Sequence, residues 1–148
     1  MSERIILADL DQQLQEVVAS TRRRVADLHA ELPRWGLVVW TAGNVSERVV
    51  VDRGDGPVKT DLFIIKPSGV SYDELSAETM VVCTLDGEKI DDGTPASLKP
   101  SSDTAAHAYV YRHRDDVGGV VHTHSPYATA WAARREPIPC ALTMMGDE

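Results

Sequence analysis

A chain of 148 residues with 43% apolar side chains is long enough to bury the core of one domain, which excludes wholesale disorder. Fifteen Lys and Arg stand against 23 Asp and Glu, a formal charge of −8. That balance disfavours a nucleic-acid or anionic-membrane binder, since both need a basic face, but leaves room for a small anionic substrate held by local donors.

The N-terminus, MSERIILADLDQ, lacks the long apolar core of a signal peptide or a membrane span. Leu14, Val17, Val18, Thr21, Val25, Leu28 and Leu32 then recur at steps of three and four, which predicts an amphipathic helix ended by Pro33 and Gly36. Arg22, Arg23 and Arg24 read as its solvated face. Short β-like runs follow at Leu37 to Trp40, Val49 to Val51 and Leu62 to Ile65, with a turn over Arg53 to Gly56. Ser71 to Glu74 resembles a capped single helical turn, and Met80 to Leu85 a strand. Asp86-Gly87 is a hairpin turn, with Glu88 to Ile90 as the return strand. Thr94 to Pro100 reads as a loop. Ser101-Ser102-Asp103 opens a helix to about Arg112, and Gly118 to His124 is a strand. Ser125-Pro126 starts a last helix, and Pro137 and Pro139 bracket a turn into Ala141 to Thr143. The whole predicts an α/β chain with helices on a mainly antiparallel sheet. Cys83 and Cys140 are too few for a disulfide scaffold, so the expected compartment is the cytoplasm with both thiols reduced.

Three constellations carry possible chemistry. In His122-Thr123-His124, alternate side chains on a strand share a face, so two imidazoles can reach one metal ion; taken alone the pair is weak evidence, and the other reading is two hydrogen-bonded histidines at a strand end. His29, His107 and His113 read as ordinary helix residues, with His107 near enough to Asp103 for a supporting role. Lys66-Pro67-Ser68-Gly69 together with Ser101-Ser102 offers a charge, a close backbone approach and hydroxyls at a helix start, either as a phosphate cradle or as a turn plus a helix cap. Gly43-Asn44-Val45-Ser46 is either a structural turn or a way to bring the Asn44 amide beside a substrate.

Read together, these stretches resemble the class II aldolase/epimerase family, and within it the pentulose-phosphate 4-epimerases. The matching segments are Gly43 to Ser46, Ile65 to Val70, Pro100 to Thr104, Gly119 to Ser125 and Ala128 to Ala132, in the family's order, across residues 10–148. The resemblance implies a layered α/β fold around a largely antiparallel sheet flanked by helices, in a fourfold homotetramer with active sites at subunit interfaces. It implies a divalent metal, commonly zinc, held by His122 and His124 with Asp103 beside it as ligand or catalytic group. It places Asn44, Lys66, Ser68, Gly69, Ser101 and Ser102 in the phosphate and substrate pocket, and Asp147 at the position of a catalytic aspartate. It implies interconversion of L-ribulose 5-phosphate and D-xylulose 5-phosphate by retro-aldol cleavage and re-addition. The family's aldolases commonly carry glutamate where Asp103 stands, which favours epimerase over aldolase. A non-catalytic role like that of the adducin head domain has no need of His122, His124 and Asp103. The resemblance also implies a third metal histidine and an opposite-face tyrosine. No histidine follows His124 and no tyrosine follows Tyr127, so residues 1–148 are expected to form one C-terminally incomplete domain.

Overall fold

The computed structural model describes residues 4–146. The first helix, α1 (Gln12–Arg34), begins where the Asp11 side chain accepts the Leu14 N–H at 3.0 Å. Its buried face is Leu14, Val18, Thr21, Val25, His29 and Leu32. His29 takes the place expected of Leu28, which is 47% exposed on the flank of that stripe. Pro33 does not end the helix; it lies in the last turn. The terminus comes at Gly36, whose φ of +65° lets its N–H reach Pro33 O while Leu37 N–H reaches Leu32 O, a Schellman cap.

Four strands follow: β1 (Asn44–Asp52), β2 (Pro57–Ile65), β3 (Val81–Thr84) and, after the second helix α2 (Thr104–His113), β4 (Gly119–His122). They form one sheet in the order β3-β2-β1-β4, with every pairing antiparallel. The third helix, α3 (Pro126–Arg134), starts at Ser125, whose side chain accepts the Ala128 N–H. Among the described residues no helix is long and apolar enough to cross a membrane.

Strand alternation divides the core between two helices. Val49, Val51, Leu62, Ile64, Met80 and Val82 pack with Leu14, Val18 and Val25 of α1. Phe63, Ile65, Val81 and Cys83 point the other way, against Ala108 and Tyr111 of α2. The molecule is thus the expected layered α/β arrangement with an antiparallel sheet flanked by helices.

Three local expectations are corrected. Leu37 to Trp40 is a loop, because the helix cap turns the chain and Trp40 takes a φ of +54°. Glu88 to Ile90 forms no strand ladder; it touches β3 at a single bridge, Cys83 with Lys89, before Asp91 pairs with Ile6. The arginines of α1 are not simply solvated. Arg22 lies 2.9 Å from Asp92, a carboxylate with no exposed side-chain surface, and Arg24 lies 2.6 Å from Glu47. Asp92 also accepts the Val82 N–H at 2.7 Å, and a buried carboxylate needs such partners.

Candidate active site

The two segments expected to form a cradle are neighbours. Pro67 and Pro100 form an antiparallel bridge, with Ser68 N–H on Lys99 O at 2.8 Å and Ser101 N–H on Lys66 O at 3.1 Å. The exposed Ser68-Gly69 turn therefore stands beside Ser101 and exposed Ser102 at the head of α2. Gly69 holds a φ of +72°, a left-handed conformation that favours glycine.

Lys66 departs from expectation. Its side chain is buried, and its ammonium donates to Thr41 O at 2.8 Å rather than standing at the cradle's rim. Burial lowers its pKa, with the Asp103 charge acting in the opposite sense.

Asp103 is the hub. It occupies the N-cap position of α2 but caps nothing. Its Oδ2 instead accepts from Asn44 Nδ2 at 2.6 Å and from His122 Nδ1 at 2.7 Å. Burial pushes the Asp103 pKa up, but the hydrogen bonds from His122 and Asn44 outweigh it, so the carboxylate is held below its ordinary value. Asn44 also donates to Ser101 Oγ at 3.1 Å, which ties the cradle to the hub. The register explains the meeting: Asn44 on β1 pairs directly with His122 on β4, so their side chains share a face. The Asn44 Oδ1 is buried without a partner, an acceptor free for a donor from a bound molecule.

His124 lies beyond the end of β4, its backbone N–H bonded to Leu37 O at 2.7 Å, directly after the cap of α1. Its ring stands 4.8 Å from that of His122 between centroids. His122 Nδ1 donates to the Asp103 carboxylate, which leaves Nε2 as the ring nitrogen turned to a ligand, the arrangement in which a carboxylate orients a metal-binding imidazole. The donor set therefore fits a divalent cation through His122 and His124. Asp103 meets this pair through its Oδ2, the partner of His122 Nδ1. Among the described residues no group of three His, Cys, Asp or Glu side chains converges as a complete metal site. Asp147 lies outside the described residues.

A cleft of about 270 Å³ opens beside this hub, lined by Asp103, Ala106, His107, Val110, Val120 and His122. A larger depression of about 1390 Å³ runs along the Asp86 to Asp91 segment and contains none of the hub residues; its walls mix Arg4 and Lys89 with Asp86 and Asp91. His107 is more than an ordinary helix residue. It is buried, and Ser46 Oγ is 2.7 Å from both His107 Nδ1 and the Tyr111 hydroxyl. Burial lowers the His107 pKa. His29 is a helix residue as expected, and it is buried. The signal that marks it in the sequence is its place four residues after Val25 on the apolar stripe, where an imidazole must find partners.

A family model, the class II aldolase and adducin N-terminal domain, matches residues 23–148. A probable L-ribulose-5-phosphate 4-epimerase of Mycoplasma pneumoniae is 42% identical over 133 residues, 90% of this chain and 50% of that protein. An L-ribulose-5-phosphate 4-epimerase of Salmonella paratyphi C is 44% identical over 126 residues, 85% of this chain and 50% of that protein. The chain thus spans about half the length of the curated relatives it matches. Among solved structures, an L-fuculose 1-phosphate aldolase superposes with a TM-score of 0.68 at 28% identity, covering 83% of this chain and 52% of that one.

Proposed function

The chain belongs to the class II aldolase and adducin N-terminal domain family, and we propose that the full-length protein is a metal-dependent L-ribulose-5-phosphate 4-epimerase. The observation that carries this reading is the Asn44–Asp103–His122 hub beside His124, supported by the names of the epimerase relatives. Residues 1–148 form one class II aldolase-like domain of a cytoplasmic homotetramer, whose active sites lie at subunit interfaces.

C4 of the sugar carries no acidic proton. Its inversion therefore demands cleavage of the C3–C4 bond and re-addition to the opposite face of the glycolaldehyde phosphate fragment. A divalent cation such as zinc, when bound by His122, His124 and further ligands, supplies Lewis-acid stabilisation of the negative charge that cleavage develops. Asp103 keeps His122 in the ligating tautomer and orientation through the 2.7 Å bond to Nδ1. Ser68, Gly69, Ser101 and Ser102 hold the phosphate through hydroxyls and backbone N–H groups, so that the aldehyde fragment stays in place while it turns. Asn44 offers its unpartnered Oδ1 to a substrate donor. Lys66 stands behind this pocket, its ammonium on Thr41 O. Asp147 serves as acid and base on one face of the aldehyde.

A second reading, a class II sugar-phosphate aldolase, is favoured by the likeness to L-fuculose 1-phosphate aldolase. Product analysis separates the two. The full-length protein with L-ribulose 5-phosphate is expected to give D-xylulose 5-phosphate; accumulation of free dihydroxyacetone and glycolaldehyde phosphate would establish the aldolase instead.

A further inference from the structure

Residues 41–43 are irregular and lead into Asn44 and Val45, the first residues of β1, which lie beyond the β2 register that begins at Ser46. Backbone groups that no ladder pairs must be satisfied by side chains. Three side chains do so over residues 41–45. The Tyr72 hydroxyl lies 2.9 Å from Ala42 O and 3.1 Å from Gly43 O, which share its one proton as acceptors. His29, fully buried on α1, accepts the Val45 N–H at Nε2 at 3.0 Å and donates from Nδ1 to Val25 O at 2.6 Å. Lys66 holds Thr41 O. The three pack together, with His29 and Tyr72 ring centroids 6.1 Å apart and the Lys66 ammonium 5.4 Å from the Tyr72 ring.

We propose that Tyr72 and His29 are positioning residues. By gripping the Ala42 and Gly43 carbonyls and the Val45 N–H, they fix where the Asn44 amide meets Asp103, and so where Asp103 holds His122. The inference rests on the reading of that hub as the active centre. Its physical basis is the sequence of short bonds: 2.6 Å from Asn44 to Asp103 and 2.7 Å from Asp103 to His122 tolerate little drift of the loop. Both clamping groups also remain in the needed form. Burial pushes the Tyr72 hydroxyl up to about 12, so it stays a donor, and pulls His29 down to about 4, so one neutral tautomer serves both its bonds.

The test follows the side-chain amide resonances of Asn44 by NMR in the full-length protein, beside kcat/KM with L-ribulose 5-phosphate. Tyr72→Phe removes only the donor, His29→Leu removes the acceptor, and His29→Gln restores an acceptor near the Nε2 position. Ile64→Val, a core substitution on the α1 side of β2, controls for lost stability. The expected result is a moved Asn44 amide and about a tenfold lower kcat/KM in Tyr72→Phe and His29→Leu, recovery in His29→Gln, and an unmoved amide in Ile64→Val. The proposal is overturned if the Asn44 amide stays in place in Tyr72→Phe and His29→Leu, or moves equally in Ile64→Val. Should His29→Leu fail to fold, Tyr72→Phe alone decides. Failure of the epimerase reading shows separately, as wild-type protein without turnover, while the amide still reports on the clamp.

Discussion

At the residue scale the hub assigns different work to neighbouring groups. His122 is oriented by Asp103, whereas the His124 side chain has no such partner among the described hydrogen bonds and is placed by its backbone bond to Leu37 O. His124→Ala is therefore expected to remove most bound metal from the full-length protein, read by elemental analysis; full stoichiometry would contradict the assignment. Ser102→Ala touches the cradle and not the hub. It should weaken binding of the phosphorylated sugar about tenfold to a hundredfold while leaving metal content unchanged, since one hydrogen bond to a charged group is worth about 1.5–3 kcal/mol. An equal loss of both would make Ser102 a structural cap. The residue types of this site were legible in the sequence, which singled out Asn44, Ser101, Asp103 and His122 one by one; that they meet is read from the structure. The direction of the Lys66 side chain was not legible, because a lysine beside a glycine turn can point to either side of it, and only the position of Thr41 O decides.

At the scale of elements, apolar periodicity located α1 because it reports directly on which face is buried, and helix-start residues located α2 and α3; of β2 (Pro57–Ile65) the apolar run marked only the buried end, Leu62 to Ile65. It failed over Leu37 to Trp40, where an apolar run serves a helix cap and a site loop instead of a ladder. Gly43 marks how tightly that loop is built. It has a φ of +75°, and an added Cβ would lie 2.5 Å from Val38 Cγ1 and 2.9 Å from His122 O. Gly43→Ala should cost about 3 kcal/mol in chemical denaturation, from left-handed strain and overpacking together. A change within about 0.5 kcal/mol, the range of a neutral surface substitution, would contradict this geometry. The link between α1 and β1 through His29 is sensitive to pH. Its folded pKa, about 4, lies below the unfolded value of 6.5, so the unfolded chain binds the extra proton between them. Its contribution is complete above pH 6.5 and is lost as pH falls toward 4. The loss is roughly 3 kcal/mol, and His29→Gln should remove that part of the pH dependence from denaturation curves. Parallel pH profiles of the two proteins would contradict it.

At the scale of the whole molecule, an antiparallel sheet between α1 and α2 places the head of α2, the start of β1 and the end of β4 at one end of the sheet. The hub forms there because these ends meet, and alternation along β1 sends Asn44 and Ser46 toward α2 while Val45 and Val49 face α1. Layering and strand direction were legible from turn chemistry and apolar spacing. The meeting of Asn44 with His122 was not, because the pairing of β1 with β4 spans a long sequence separation that no local pattern encodes. Trp40, Tyr127, Leu142 and Met144 expose large apolar side chains. If His122 and His124 hold a cation on which epimerisation depends, turnover of L-ribulose 5-phosphate by the full-length protein must follow its metal content. Chelation is expected to abolish D-xylulose 5-phosphate formation, and about one equivalent of zinc per subunit to restore it; undiminished turnover by the metal-free protein would show that the histidine pair holds no catalytic cation.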